Sequence, residues 1–169
     1  MNKNELVISK IFQFSNDEGR SSLSRLLAYW RFRDKKIVFT NGCFDIIHLG
    51  HIDYLSKAAD HGDILIIGMN SDKSVQCIKG QDRPVNNQEG RARVLAALGF
   101  TTCVVLFDDE TPYELIKYIQ PDVLVKGSDY KPENIVGYDI LKEKGGKIIT
   151  IDFIEGYSTS SIIEKIKKL

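Results

Sequence analysis

The sequence predicts an α/β fold, an open parallel five-stranded sheet with helices on both faces. Three observations predict it. Short runs rich in Ile, Val and Leu and bounded by turn residues recur along the chain, as buried parallel strands do. The segments between them place apolar residues at helical rather than alternating spacing. Strand follows helix in strict alternation to the end of the chain, an order that requires right-handed crossovers and a sheet covered on both sides.

In chain order, residues 1–34 read as a helical extension packed on the domain, because Leu23, Leu26, Leu27 and Trp30 return on one helical face. The extension is given no chemistry. The domain covers residues 35–169 and opens with a strand at 35–40, followed by a helix at 50–59 and a second strand at 64–69. A long loop over 71–87 carries Lys73, Lys79 and Arg83, and loops of that length in compact domains are often functional. A helix at 88–98 leads to the third strand at 103–107, and one at 112–119 to the fourth at 122–125. A helix at 135–143, a fifth strand at 147–151 and a last helix from about residue 160 complete the pattern.

Composition narrows the function. Lys plus Arg and Asp plus Glu each number 23, so no global field favours nucleic acid or an anionic membrane, and any anion site must be local. With 169 residues, 43% of them hydrophobic, the chain supplies one substantial core. No apolar run approaches the roughly 20 residues that span a bilayer, and no secretory apolar stretch follows the polar opening, so a cytoplasmic protein is expected. Cys43, Cys77 and Cys103 are odd in number and far apart, which argues against a disulfide framework and a structural zinc site.

The first strand runs into Asn41-Gly42-Cys43-Phe44-Asp45 just before the helix that opens near His48. Doubly wound sheets hold phosphates there, beyond the carboxyl end of a strand. Neither usual fingerprint occurs: no Gly-x-Gly-x-x-Gly follows the strand, and Gly-x-x-x-x-Gly-Lys-Ser/Thr is absent. His48 and His51 supply a different device. Three residues apart, they share one face of the first helical turn, beside its free N–H groups and the positive end of its dipole. Gly50 leaves the backbone open to close approach, and a bound polyphosphate would draw both rings towards protonation. The residues alone also allow a helix start with two polar side chains, or half of a zinc site that the cysteines do not obviously complete.

Near the other end, Ser158-Thr159-Ser160-Ser161 precedes the last helix and offers hydroxyls and unpaired N–H groups to the distal phosphates of a nucleotide. Ser161 with Glu164 fits a capping box, which accounts for part of that run. Asp45 is read as structural, since one carboxylate is a poor magnesium site without the nucleotide's own oxygens. No protein side chain is assigned to a metal.

Gly42 to Asp45 followed by His48-Leu49-Gly50-His51 resembles the first motif of the HIGH-signature nucleotidyltransferases, above all the cytidylyltransferase-like group. The resemblance continues in order through Gly68 to Asp72, Lys79-Gly80, Arg83-Pro84-Val85, Glu89 with Arg91, Val125 to Tyr130 and Ser158 to Ser160. Within the group, Asn70 to Asp72, Arg83 to Asn86 and Val125 to Pro132 are most similar to the adenylyltransferases that act on D-glycero-β-D-manno-heptose 1-phosphate.

The resemblance implies a Rossmann-like HIGH-type fold that transfers AMP from ATP to the sugar phosphate, giving ADP-heptose, a lipopolysaccharide core precursor, and pyrophosphate. Mg²⁺ would accompany ATP, and a homo-oligomer is implied. His48, His51, Lys79 and Arg91 would be catalytic. Asn41, Gly42, Cys43, Phe44, Gly50, Gly127, Asp129, Ser158, Thr159 and Ser160 would contact the nucleotide, and Lys126 and Tyr130 the sugar phosphate. A phosphate monoester has a second pKa near about 6 and is largely dianionic at neutral pH, so no general base is needed. A CTP-dependent enzyme acting on glycerol 3-phosphate or a similar polyol phosphate, and a nucleotide sensor without turnover, stay open as alternatives.

Overall fold

The computed structural model describes residues 1–128 and 132–169. The chain begins with α1 (Lys3–Ile8), β1 (Ile11–Gln13) and α2 (Asp17–Phe32), followed by β2 (Ile37–Gly42), α3 (Leu49–Ala59) and β3 (Ile64–Asn70). Next come α4 (Asp72–Lys79), α5 (Gln88–Ala97), β4 (Cys103–Phe107), α6 (Tyr113–Ile119) and β5 (Val123–Gly127). A turn of 3-10 helix (Pro132–Asn134), α7 (Tyr138–Lys144), β6 (Lys147–Ile151) and α8 (Thr159–Lys167) complete it.

The strands form one parallel sheet in the order β1-β4-β3-β2-β5-β6. The five expected strands are all present and a sixth joins them, so the sheet is six-stranded rather than five-stranded. The addition is β1, which pairs Ile11, Phe12 and Gln13 with Val104, Val105 and Leu106. Three residues are too few to show an alternation, and their strand character comes from the β4 edge they complete. The segment 1–34 thus contributes a strand as well as helices.

Central strands read clearly because they are buried on both faces: all seven residues of β3 and all five of β4 are buried. Alternate residues feed two cores. Ile37 and Phe39 of β2 pack with Leu23, Leu27 and Trp30 of α2 and with α6 and α7 on one side. Val38 packs with Leu55 and Ala58 of α3 and Leu95 and Ala96 of α5 on the other. Each face is therefore closed by helices.

The stretch expected as a loop over 71–87 contains α4. Ser71 caps it, its side chain accepting from the Ser74 N–H, and only Ser74 and Val75 are buried, so the sequence carries a weak helical signal. Among the described residues, no helix is long and apolar enough to cross a membrane.

β2 is flanked by β3 on one side and β5 on the other. The chain winds outward through β3 and β4, then returns to β5 and β6. The crevice beyond the carboxyl ends of β2 and β5 is the switch point where such sheets take ligands.

Candidate active site

The turn after β2 is built under tension. Phe44 adopts a left-handed backbone with φ of 47°, uncommon for a side chain of its size. Its ring folds back over Gly42, where a Cβ would lie 3.1 Å from the ring. Asp45, 3% exposed, fixes the turn to a distant loop. Its carboxylate accepts from Arg83 Nε at 2.6 Å, the Val85 N–H at 2.8 Å and the Asn86 N–H at 2.9 Å. Burial pushes the Asp45 pKa up, but the Asn86 and Val85 N–H groups and Arg83 outweigh it and hold the carboxyl below its ordinary range.

His48 occupies the N-cap of α3 without using its side chain as a cap. Its ring stacks on His51 with centroids 3.8 Å apart and an interplanar angle of 27°. Gly50 makes room for this stack: a Cβ there would meet His48 Nδ1 at 3.1 Å and Tyr157 at 3.2 Å. Burial, then the neighbouring His48, push the His51 pKa down to about 4, partly offset by a backbone hydrogen bond at Ile46. Burial lowers His48 as well. Neither Nδ1 has a hydrogen-bond partner among the described residues. Neutral rings that retain unused polar atoms are suited to gaining protons when an anion arrives.

Arg91 stands behind this turn rather than in front of it. Its side chain is fully buried, and it donates through Nε to the Asn86 carbonyl at 3.1 Å, through Nη1 to the Cys43 carbonyl and through Nη2 to Asp72 at 2.7 Å. The guanidinium ties together the β2 turn, the 83–86 loop and the start of α4. It is not among the residues that line the cleft.

The cleft at the switch point has a volume of about 450 Å³. Asn41, Gly42, Cys43 and Phe44 line its β2 end, with His51 beside them. Lys79 from the end of α4 and Arg83 from the following loop face it from one side, Lys126 and Gly127 of β5 from another, and Thr159 and Ser160 of α8 from a third. Lys126 Nζ donates to Asn41 Oδ1 at 2.6 Å, joining the two strands at the switch. His48 and Gly50 support this lining without belonging to it.

Ser158 has a structural bond of its own. It is the N-cap of α8, accepting from the Ser161 N–H at 3.0 Å in a capping box with Ser161, so the cap lies one turn earlier than Ser161 with Glu164 implied. Thr159 Oγ1 donates to the Ile46 carbonyl at 3.5 Å, which leaves Ser160 as the hydroxyl with no such structural bond among the described residues. Asp129 and Tyr130 lie outside the described residues. Burial raises the Cys43 thiol above its ordinary pKa, against the opposing pull of Lys79, Arg91 and Arg83, which disfavours its thiolate.

Sequence reading gave Arg83 no role, yet Arg83 is the arginine that lines the cleft. Its partner Asp45 lies 38 positions away. No sequence pattern joins the two, because the burial of Asp45 and its meeting with Arg83 arise only in the tertiary fold.

A family model described as cytidylyltransferase-like matches residues 39–165, a span that contains every residue lining the cleft. The chain belongs to the cytidylyltransferase-like family. The bifunctional protein HldE of Wolinella succinogenes is 54% identical over 149 residues, 88% of this chain and 31% of that protein. The bifunctional protein HldE of Campylobacter jejuni subsp. doylei is 57% identical over 146 residues, 86% of this chain and 31% of that one. The chain thus spans about a third of the length of the curated relatives it matches. In fold it is similar to the lipopolysaccharide core biosynthesis protein from Thermoplasma volcanium GSS1, with a TM-score of 0.57 and 22% identity over 73% of this chain and 99% of that one. It is also similar to the pantoate-beta-alanine ligase from Francisella tularensis, with a TM-score of 0.59 and 16% identity over 94% of this chain and 78% of that one.

Proposed function

We propose that this member of the cytidylyltransferase-like family is an adenylyltransferase that moves AMP from ATP to D-glycero-β-D-manno-heptose 1-phosphate, releasing pyrophosphate and ADP-heptose. The observation that carries the reading is the convergence of His51, Lys79, Arg83, Lys126 and Ser160 on one cleft at the switch point. The identity of 54–57% to HldE proteins over most of the chain supports the choice of substrates.

In this reading the acceptor's phosphate oxygen attacks the α-phosphorus and the P–O bond to pyrophosphate breaks in line. The acceptor is already dianionic at neutral pH, which fits a cleft without a catalytic dyad. The work left to the protein is to hold two anions together and to offset the charge that builds on the α-phosphate and on pyrophosphate. His51 grips the triphosphate, with His48 stacked against it, and both rings take up protons from solvent in the field of the anion. Lys79 and Arg83 offset its charge, Ser160 and Thr159 hold its distal end, and Lys126 receives the acceptor phosphate. Arg91 acts through the turn it fixes. We assign this chemistry to residues 35–169, with residues 1–34 as structural support.

Mg²⁺ would enter as part of the ATP substrate and would supply charge neutralisation at its phosphates. Asp45 is committed to Arg83, Val85 and Asn86, and the described residues contain no group of three His, Cys, Asp or Glu suited to a metal. A cytoplasmic setting suits both substrates, and a homo-oligomer belongs to the same proposal.

Pyrophosphate release measured with ATP or CTP against heptose 1-phosphate and glycerol 3-phosphate tests it. Turnover with ATP and the heptose phosphate is the expected result. Turnover confined to CTP and the polyol phosphate would replace this reading, and tight nucleotide binding without pyrophosphate in any combination would make the protein a sensor.

A further inference from the structure

Beside the main cleft lies a smaller hollow of about 190 Å³ that shares Asn41, Glu110 and Lys126 with it. It therefore opens at the same switch point, on the far side of the Lys126–Asn41 contact. Its remaining wall mixes polar Thr111 and Asn134 with apolar Pro112, Ile135 and Val136.

We propose that this hollow seats the hydroxylated ring of the acceptor sugar phosphate, with Glu110 accepting hydrogen bonds from its hydroxyls. The inference rests on the adenylyltransferase reading and adds a specificity residue to it. Three observations lead there.

The first is direction. In-line displacement requires the acceptor to approach the α-phosphorus opposite the departing pyrophosphate. With the distal phosphates at Arg83 and Ser160, the approach comes from the Lys126 side, where the hollow opens. The second is chemistry. A sugar ring presents hydroxyls at its edge and C–H groups on its faces, and a wall of carboxylate, hydroxyl and amide beside Pro112, Ile135 and Val136 complements both. The third is charge order. Lys126 and Glu110 both stand where the two cavities meet, so the phosphate settles on Lys126 and the neutral hydroxyls of the ring, not the anion, face Glu110.

Glu110 is placed for this work and not for stability. It is exposed and makes no hydrogen bond or ion pair among the described residues. The segment that carries it is nonetheless held in place: Asn70 Nδ2 donates to Ser74 Oγ at 2.9 Å, and Ser74 Oγ donates to the Asp109 carbonyl at 2.9 Å.

The test is steady-state pyrophosphate release by the full chain carrying Glu110→Gln or Val136→Phe, the second narrowing the hollow with bulk alone. Loss of a charge-assisted hydrogen bond predicts that Glu110→Gln raises KM for the heptose phosphate roughly tenfold. KM for ATP stays within about twofold, and Val136→Phe moves the same constant in the same direction. An unmoved acceptor KM in both folded variants, or an equal rise for both substrates, overturns the subsite while leaving the activity intact. A wild-type chain that releases no pyrophosphate with any sugar phosphate overturns the adenylyltransferase reading, and this one with it.

Discussion

The two walls of the cleft are built differently. The wall made by the β2 turn and the 83–91 segment is cross-tied through two buried side chains: Asp45 takes three donors, and Arg91 divides its guanidinium among the Asn86 carbonyl, the Cys43 carbonyl and Asp72. The opposite wall, α8 and the loop before it, has no buried residue in the helix. Thr159 on the Ile46 carbonyl at 3.5 Å and Phe153 beside Tyr54 at 5.5 Å are among its few ties to the domain. The contrast teaches a division of labour. In the proposed reaction, the wall that would hold reacting atoms in register is over-determined, and the wall assigned to the distal phosphates is tied down by fewer contacts.

Arg91→Ala should break the first wall outright. It strands the carbonyls of Asn86 and Cys43 and leaves Asp72 unpaired, a loss of about 3 kcal/mol or more, read as a lower urea midpoint. A midpoint unchanged from wild type would mean that the wall is not held as described. His48→Ala and His51→Ala come next, each cutting turnover about 10²-fold, or roughly 2.7 kcal/mol, with the midpoint little altered. Near-normal turnover in the folded double variant would remove the histidines from the mechanism.

Ser158→Ala sharpens the contrast from the other side. Losing the cap costs α8 about 1 kcal/mol, but the helix opens on its own, so amide exchange there quickens while the global midpoint stays put. A matching fall in the global midpoint would show that α8 unfolds with the domain. The smallest effect concerns pH. His51 titrates near about 4 when folded and near its ordinary 6.5 when unfolded, so the unfolded chain binds more protons between those values. Its contribution is fully present above about pH 6.5 and declines towards pH 4, by a modest amount because the ring keeps some solvent contact. Urea midpoints across that range should show the slope, and saturating ATP should flatten it as the rings take up protons in the complex.

Much of this was legible in the sequence, for physical reasons that differ by element. β3 and β4 announce themselves because strands buried on both faces are apolar over nearly their whole length. β1 does not, since three residues carry no period and become a strand only against β4. α4 hides within a polar stretch because little of it is buried. At the site, spacing alone pairs His48 with His51, as one helical turn fixes both. Spacing cannot decide between Arg83 and Arg91: which arginine reaches the cleft depends on Asp45 and Asp72, whose positions are set by tertiary packing. The cap of α8 falls at Ser158 rather than Ser161 for the same reason, because a run of hydroxyls does not reveal where the helix starts.

The sixth strand has a practical consequence for anyone trimming the protein. A fragment cut to the family span of 39–165 would lose β1 and α2, bare the hydrogen-bonding edge of β4 and uncover the surface against which Leu23, Leu27 and Trp30 pack. An open strand edge beside a naked apolar face is a template for self-association, so the shortened chain should gather into aggregates where the longer one stays dispersed.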